Sequence, residues 1–254
     1  GHQNMSSITS GQYNTAIGSS ALTTALTANE NVSIGYRSMW LAEAGESQNV
    51  AIGVKAMVDV QEGDGGGDAD YNIAIGYNAL TGGDFAGNDR QLRGNIAIGG
   101  NAMIATSGNA QTGSIAIGEY ALNALTSGAG NTAVGYQAGD VITTGSENTI
   151  LGYACDVASN DNTNNVIIGN NLTASDNDNR VYIGNDSSYI YNDFNSNNTW
   201  THSSDKRQRK EIKDNELGLD FINDIRPVTY KHKSPSEFPK EWNAYNVDDK
   251  EPMG

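Results

Sequence analysis

An aliphatic residue followed by glycine recurs ten times, with the glycine at positions 18, 35, 53, 76, 99, 118, 135, 152, 169 and 184. The spacings are 17, 18, 23, 23, 19, 17, 17, 17 and 15. Self-similarity at such a period is the mark of a stacked-repeat architecture. The columns around the glycine are strict. Three residues before it stands a β-branched residue in every copy: Thr15, Val32, Val50, Ile73, Ile96, Ile115, Thr132, Thr149, Val166 and Val181. Just before it is Ile, except for Val134 and Leu151. Four before it is Asn, except for Ser114 and Arg180.

A β-branched residue, a small residue and an aliphatic residue in succession make a short strand, with its first and third side chains on one face. The middle residue is small in the first seven copies (Ala16, Ser33, Ala51, Ala74, Ala97, Ala116, Ala133), which allows another layer or another chain to approach. Glycine then permits a turn that a side chain obstructs. Asn tolerates turn geometry, and stacked Asn side chains can bond along a ladder. A second apolar column follows the glycine by four: Leu22, Met39, Met57, Leu80, Met103 and Leu122. No single coil can bury its own apolar face, so stacked coils share one core. At ~4.8 Å per strand, ten or eleven coils give a stack of roughly 50 Å. Gly1 to Met5 fits the same frame as Gly18 to Leu22, so the chain is expected to be a piece of a longer polypeptide.

Two coils carry turn-rich insertions, 61–71 and 81–94, expected to bulge as loops. Asp64, Asp68 and Asp70 offer oxygens to calcium, but their spacing does not match an EF-hand loop, and a solvated Gly/Asp loop is the plainer expectation. Late in the shaft the columns change. Ile150, Ile167 and Tyr182 replace the small residue, and Gly139, Asp156 and Thr173 replace the Leu/Met column. The roll is expected to change cross-section there. Residues 185–203 lose the repeat and gain aromatics, as expected of tip strands.

Charge separates two parts. The net charge is −15. Residues 1–200 hold 19 acidic and 5 basic side chains, and residues 201–254 hold 11 and 10. An acidic shaft argues against nucleic-acid binding. No apolar run approaches the length of a membrane-spanning helix, so no membrane insertion is expected. One cysteine, Cys155, excludes a disulfide framework within the chain, and its place among alanines makes it a packed small residue. His2, His202 and His232 are scattered, with no metal-ligand spacing, and no cofactor is expected. Tyr36, Tyr77, Tyr136 and Tyr153 follow the repeat glycine. They are expected to pack between coils or chains, or to form an exposed stripe suited to sugars.

The segments NTAIGSSAL, NIAIGYNAL and NTAVGYQAG resemble the head repeats of trimeric autotransporter adhesins and the shaft repeats of phage tail-fibre proteins. The resemblance covers about 1–184. It implies a mainly β fold, a left-handed parallel β-roll or β-solenoid shaft in which three chains pack side by side.

From Ser204 the sequence SDKRQRKEIKDNELGLDFINDIRPVTYKHK resembles the opening of the intramolecular chaperone of endosialidase-type phage tail spikes. Leu217, Phe221, Ile222 and Ile225 share a helical face ended by Pro227, and VTYKH has strand character, which suits a small α+β segment. In that family the domain aligns three chains and then cuts itself off, through a Ser nucleophile and a Lys base. The resemblance places the cut at Ser203–Ser204, with Ser204 as nucleophile. Five residues on, where the family has lysine, stands Arg209, which cannot act as a base. Lys210 is adjacent, and its basic neighbours favour its neutral form. One residue along a helix is a turn of ~100°, which points Lys210 elsewhere. Helix capping by Ser204 or Asp205 is the alternative role. Only 204–254 of this module is present, so the chaperone is expected to be truncated.

The expected organisation is therefore a shaft over 1–184, a transition over 185–203 and the start of a chaperone over 204–254. The expected function is a structural and host-attachment fibre of a phage-type virion, extracellular and homotrimeric. Its partners are a host surface receptor, possibly a glycan, and other tail proteins. Alternatives are a trimeric surface adhesin and a tailspike glycosidase. The last needs paired carboxylates about a sugar, for which Asp176 and Asp178 are a candidate pair.

Overall fold

The structure, a computed structural model, describes residues 1–42, 45–61, 69–84, 91–105, 110–195 and 201–202. All belong to the first of the two parts into which the chain divides, Gly1–Ser204 and Asp205–Gly254. The described residues are mainly β and contain no helix; they form a β-solenoid of about 9 turns. The helix and strand expected after Ser204 lie outside them.

Each strand expected from the repeat is present. Three-residue strands occur at Thr15–Ile17, Val32–Ile34, Val50–Ile52, Ile73–Ile75, Ile96–Ile98, Ile115–Ile117 and Thr132–Val134. Longer ones follow at Thr149–Tyr153, Val166–Asn170 and Arg180–Asn185. Each pairs in parallel with the next, and the repeat sets the register: Ile73, Ala74 and Ile75 lie opposite Ile96, Ala97 and Ile98. The longer coils carry extra pairs at the base of their insertions, Asp59–Gln61 with Gly82–Asp84 and Leu92–Arg93 with Gln111–Thr112. The parallel stack ends at Arg180–Asn185. There the chain reverses, and Ser188–Asp193 runs antiparallel to it. The Arg180 guanidinium fastens this hairpin, donating to Asp193 Oδ2 at 3.0 Å and 3.1 Å.

The small middle residue of the strand faces inward. Ala51, Ala74, Ala97, Ala116 and Ala133 are fully buried, as are the Leu/Met column from Leu22 to Leu122 and the alanines beside it. Alanine brings the strand layer close to the opposite wall, and Leu or Met from that wall fills the interior. Those Leu and Met residues sit at the turn with φ between 44° and 51°. A left-handed residue other than glycine costs ~1–2 kcal/mol, so the packing must outweigh that cost in each coil. At Gly76, φ is +139°, and a Cβ would strike the carbonyl of Gly99 in the next coil. The same clash recurs from Gly18 to Gly135, which is why no other residue occupies the column.

The buried Asn column is a continuous hydrogen-bond ladder. Asn49, Asn72 and Asn95 each donate a backbone N–H to the Oδ1 of the Asn one coil earlier, at 2.9, 2.9 and 3.0 Å. The side-chain amides then donate to carbonyls at the opposite corner, as Asn72 does to Leu92 at 2.6 Å. Ser114 continues the line with its hydroxyl, which accepts from Asn131 N–H at 3.3 Å. The ladder thus satisfies polar groups that the corner would otherwise bury unpaired.

Candidate interaction face

With alanine turned inward, the β-branched and aliphatic columns must point outward, together with the residue after the glycine. The alternation is plain in Thr149–Tyr153, where Ile150 is buried while Thr149, Leu151 and Tyr153 are exposed. Ile17 is 59% exposed, Leu151 47%, and Ile117, Ile168 and Ile183 37% each, so large aliphatic side chains face outward along the stack. Neither of the two columns before the glycine contains a charge in any of the ten copies, although the chain carries −15.

The tyrosines line the edge of this face. Tyr36, Tyr77, Tyr136 and Tyr153 are all exposed. Tyr136 and Tyr153 also stack between successive coils, 5.3 Å apart and 16° from parallel, with Tyr120 edge-on to Tyr136. Stacking covers ring faces that a sugar would need. Tyr36 borders a different arrangement, in which the Arg37 guanidinium lies 4.3 Å from the Trp40 ring and 5.2 Å from the Tyr36 ring.

Ser203, Ser204, Arg209 and Lys210 lie outside the described residues, as do Asp64 and Asp68. Asp70 is half-buried and accepts the Ser47 N–H, bracing the neighbouring coil. Among the described residues no group of three or more His, Cys, Asp or Glu side chains is placed to hold a metal ion. Cys155 is a free, fully buried thiol in the alanine column. Asp176 and Asp178 do converge, with Asp161, on an open pocket of about 310 Å³. Ser159, Asn162 and Asn177 complete its lining. Asn162 donates to Asp176 at 3.2 Å, and Thr163 N–H to Asp178 at 2.7 Å. The lining has no aromatic platform for a sugar.

One feature carries more chemistry than its column position suggested. Asp156 stands where earlier coils place Leu or Met, and it is 7% exposed. Its Oδ2 accepts the Val141 N–H at 2.9 Å and its Oδ1 accepts the Val157 N–H at 2.8 Å. Burial first, and then the neighbouring Asp140 carboxyl, push this carboxyl up to about 8, against the two backbone N–H groups, which pull it down. An acidic residue in a column that is Leu or Met from Leu22 to Leu122 was the available signal.

Compared with known proteins, the chain matches no family model, no curated protein and no solved structure.

Proposed function

We propose that this chain is a stretch of a homotrimeric fibre of a phage-type virion, built to hold a host-attachment surface away from the particle. The observation that carries this reading is the outward aliphatic face. A column of aliphatic side chains along ten strands, eight of them Ile, left partly in water forgoes ~25 cal/mol for each Å² that a partner surface would cover. Identical copies are the natural cover, because the face repeats with the coil and its two columns before the glycine bear no charge to repel their like, Glu119 being the one charge in the column after it. Parallel chains side by side match such a face at every level, which makes a stiff rod. The resemblance of the repeats to adhesin heads and tail-fibre shafts adds the trimer, the left hand and the extracellular virion setting. The segment from Ser204 supplies the assembly step, through its likeness to an intramolecular chaperone.

Native mass spectrometry beside a denaturing gel tests the reading. A trimer whose chains stop at Ser203 assigns self-cleavage to Ser204, with Lys210 or another base. A trimer of uncut chains means that Arg209 has disabled cleavage and the segment stays attached. A monomer overturns the fibre reading.

A further inference from the structure

Residues 1–200 hold five basic side chains against 19 acidic ones, yet two of the five stand together. Arg37 and Lys55 occupy the same place in successive coils, two residues after Gly35 and Gly53. The backbone keeps them in step. The Arg37 N–H donates to the Ser19 carbonyl at 3.0 Å and the Lys55 N–H to the Tyr36 carbonyl at 2.9 Å, with φ of 55° and 58°. Their side chains therefore start about one strand spacing apart, ~4.8 Å. Like charges set side by side on neighbouring strands repel. Among the described residues neither cation is paired with a carboxylate, whereas Arg180 has Asp193. We propose that Arg37 and Lys55, with the rings of Tyr36, Trp40 and Tyr77, bind a carboxylate-bearing oligosaccharide.

Each part of the patch has a role in that chemistry. The Arg37 guanidinium lies 4.3 Å from the Trp40 ring and 5.2 Å from the Tyr36 ring. Aromatic rings hold a cation in place without neutralising it. Arg37 Nε is buried with no hydrogen-bond partner, and the terminal nitrogens are left for the two-pronged bond that a carboxylate accepts. Lys55 adds a second charge one coil on. Tyr36 and Tyr77 belong to the coils on either side of Lys55, and both are exposed. Val54 stands between them in their column, so they do not cover each other as Tyr136 and Tyr153 do. Exposed rings beside the cations favour a sugar over a bare anion.

Nothing in the column repels such a ligand. Its first nine members, Ser20 to Asn171, include no acid. A second copy packed in register brings no carboxylate to this level, since Val32, Ile34 and Tyr36 in one coil and Val50, Ile52 and Val54 in the next are all uncharged. The cell-surface origin of the sugar rests on the attachment reading; the binding itself does not.

Calorimetric titration of the whole chain with hexagalacturonate, beside the neutral maltohexaose, tests this. Hexagalacturonate is expected to bind, and to bind more weakly as salt is raised. Arg37→Gln and Lys55→Gln are each expected to weaken it about tenfold or more, through loss of a charge-assisted hydrogen bond. Arg93→Gln removes the same charge beside another ring, that of Tyr71, and is expected to leave binding unchanged. Absence of binding overturns the proposal, as does equal binding of maltohexaose. Equal losses in all three variants overturn it by assigning the effect to overall charge. Tripolyphosphate bound as tightly as hexagalacturonate overturns the sugar. Oligomeric mass lost in Arg37→Gln and Lys55→Gln overturns it in favour of a carboxylate from a second copy. Native mass separates the site from the fibre reading. A monomer that binds hexagalacturonate through Arg37 and Lys55 supports the site while removing the fibre, and a trimer that binds none overturns the site alone.

Discussion

Gly139 and Ile150 share one volume. A Cβ on Gly139 would lie 3.3 Å from Ile150 Cδ1, 2.9 Å from Leu122 Cδ2 and 3.4 Å from Ile142 Cδ1. In earlier coils the turn residue is Leu or Met and the strand residue of the following coil is Ala or Ser; here the turn residue is Gly139 and the bulk has moved to Ile150 on the following coil's strand. The two sites should therefore couple. Ile150→Ala is expected to cost about 2–5 kcal/mol, and Gly139→Leu alone to cost ~1–3 kcal/mol by overpacking. The double variant restores the arrangement of the earlier coils and should be more stable than the sum of the two. Thermal unfolding of all four proteins measures that coupling. Simple additivity would mean that the residues do not compete for space.

The Asn ladder predicts an asymmetric pair of outcomes. Asn72→Ala removes the acceptor of the Asn95 N–H and the donor to the Leu92 carbonyl, both in the interior. Each buried group left unpaired costs ~1–3 kcal/mol, so the total is expected to reach about 3 kcal/mol or more. Ser114→Asn runs the other way. Asn148 donates its side-chain amide to Asn131 Oδ1 at 3.0 Å, a bond that serine cannot give to Asn95. Restoring it should add about 1 kcal/mol, or ~2–4 °C in Tm. Scanning calorimetry reads both, and a destabilised Ser114→Asn would show that the serine is required for room.

Gly76→Ala tests the glycine column. Its φ of +139° is foreign to residues with a Cβ, and the added methyl meets the Gly99 carbonyl. The stack would have to part at that level. The expected outcome is loss of soluble folded protein, seen as a collapse of yield and of β circular dichroism. Gly94→Ala is the control, because no atom lies within 4 Å of the place its Cβ would take, although its φ of +66° still adds ~1 kcal/mol of strain. Equal damage from both variants would assign the effect to backbone strain and not to contact between coils.

The strands, their register and the Asn ladder were all legible in the sequence, because each depends on a residue type recurring at one position. Which face turns inward was not. Periodicity of two separates Ile73 and Ile75 from Ala74 but does not say which side is the core. That choice depends on the opposite wall, where Leu80 fills the space that Ala74 leaves. The shift of bulk from Gly139 to Ile150 was visible as a change of columns, without the contact that explains it. The bond from the Val141 N–H to Asp156 was hidden, since a spacing of fifteen residues means nothing until successive coils are stacked.

Adjacent residues on one strand give the sharpest test of the outward face. Ala116 is fully buried, and Ile117 is 37% exposed. Ala116→Asp puts a carboxylate into the interior of the roll, which costs several kcal/mol even after relaxation, and is expected to unfold the chain. Ile117→Asp puts the same charge on the outer face, where a lone roll meets water and tolerates it. If copies of the chain meet there, each copy brings its own carboxylate into a dry interface, and the penalties add across the oligomer. Ile117→Asp should then keep its β circular dichroism while sedimenting as a monomer, and Ile117→Ala should weaken association only mildly. An Ile117→Asp protein that stays folded at the wild-type oligomeric mass would place the contact between copies elsewhere.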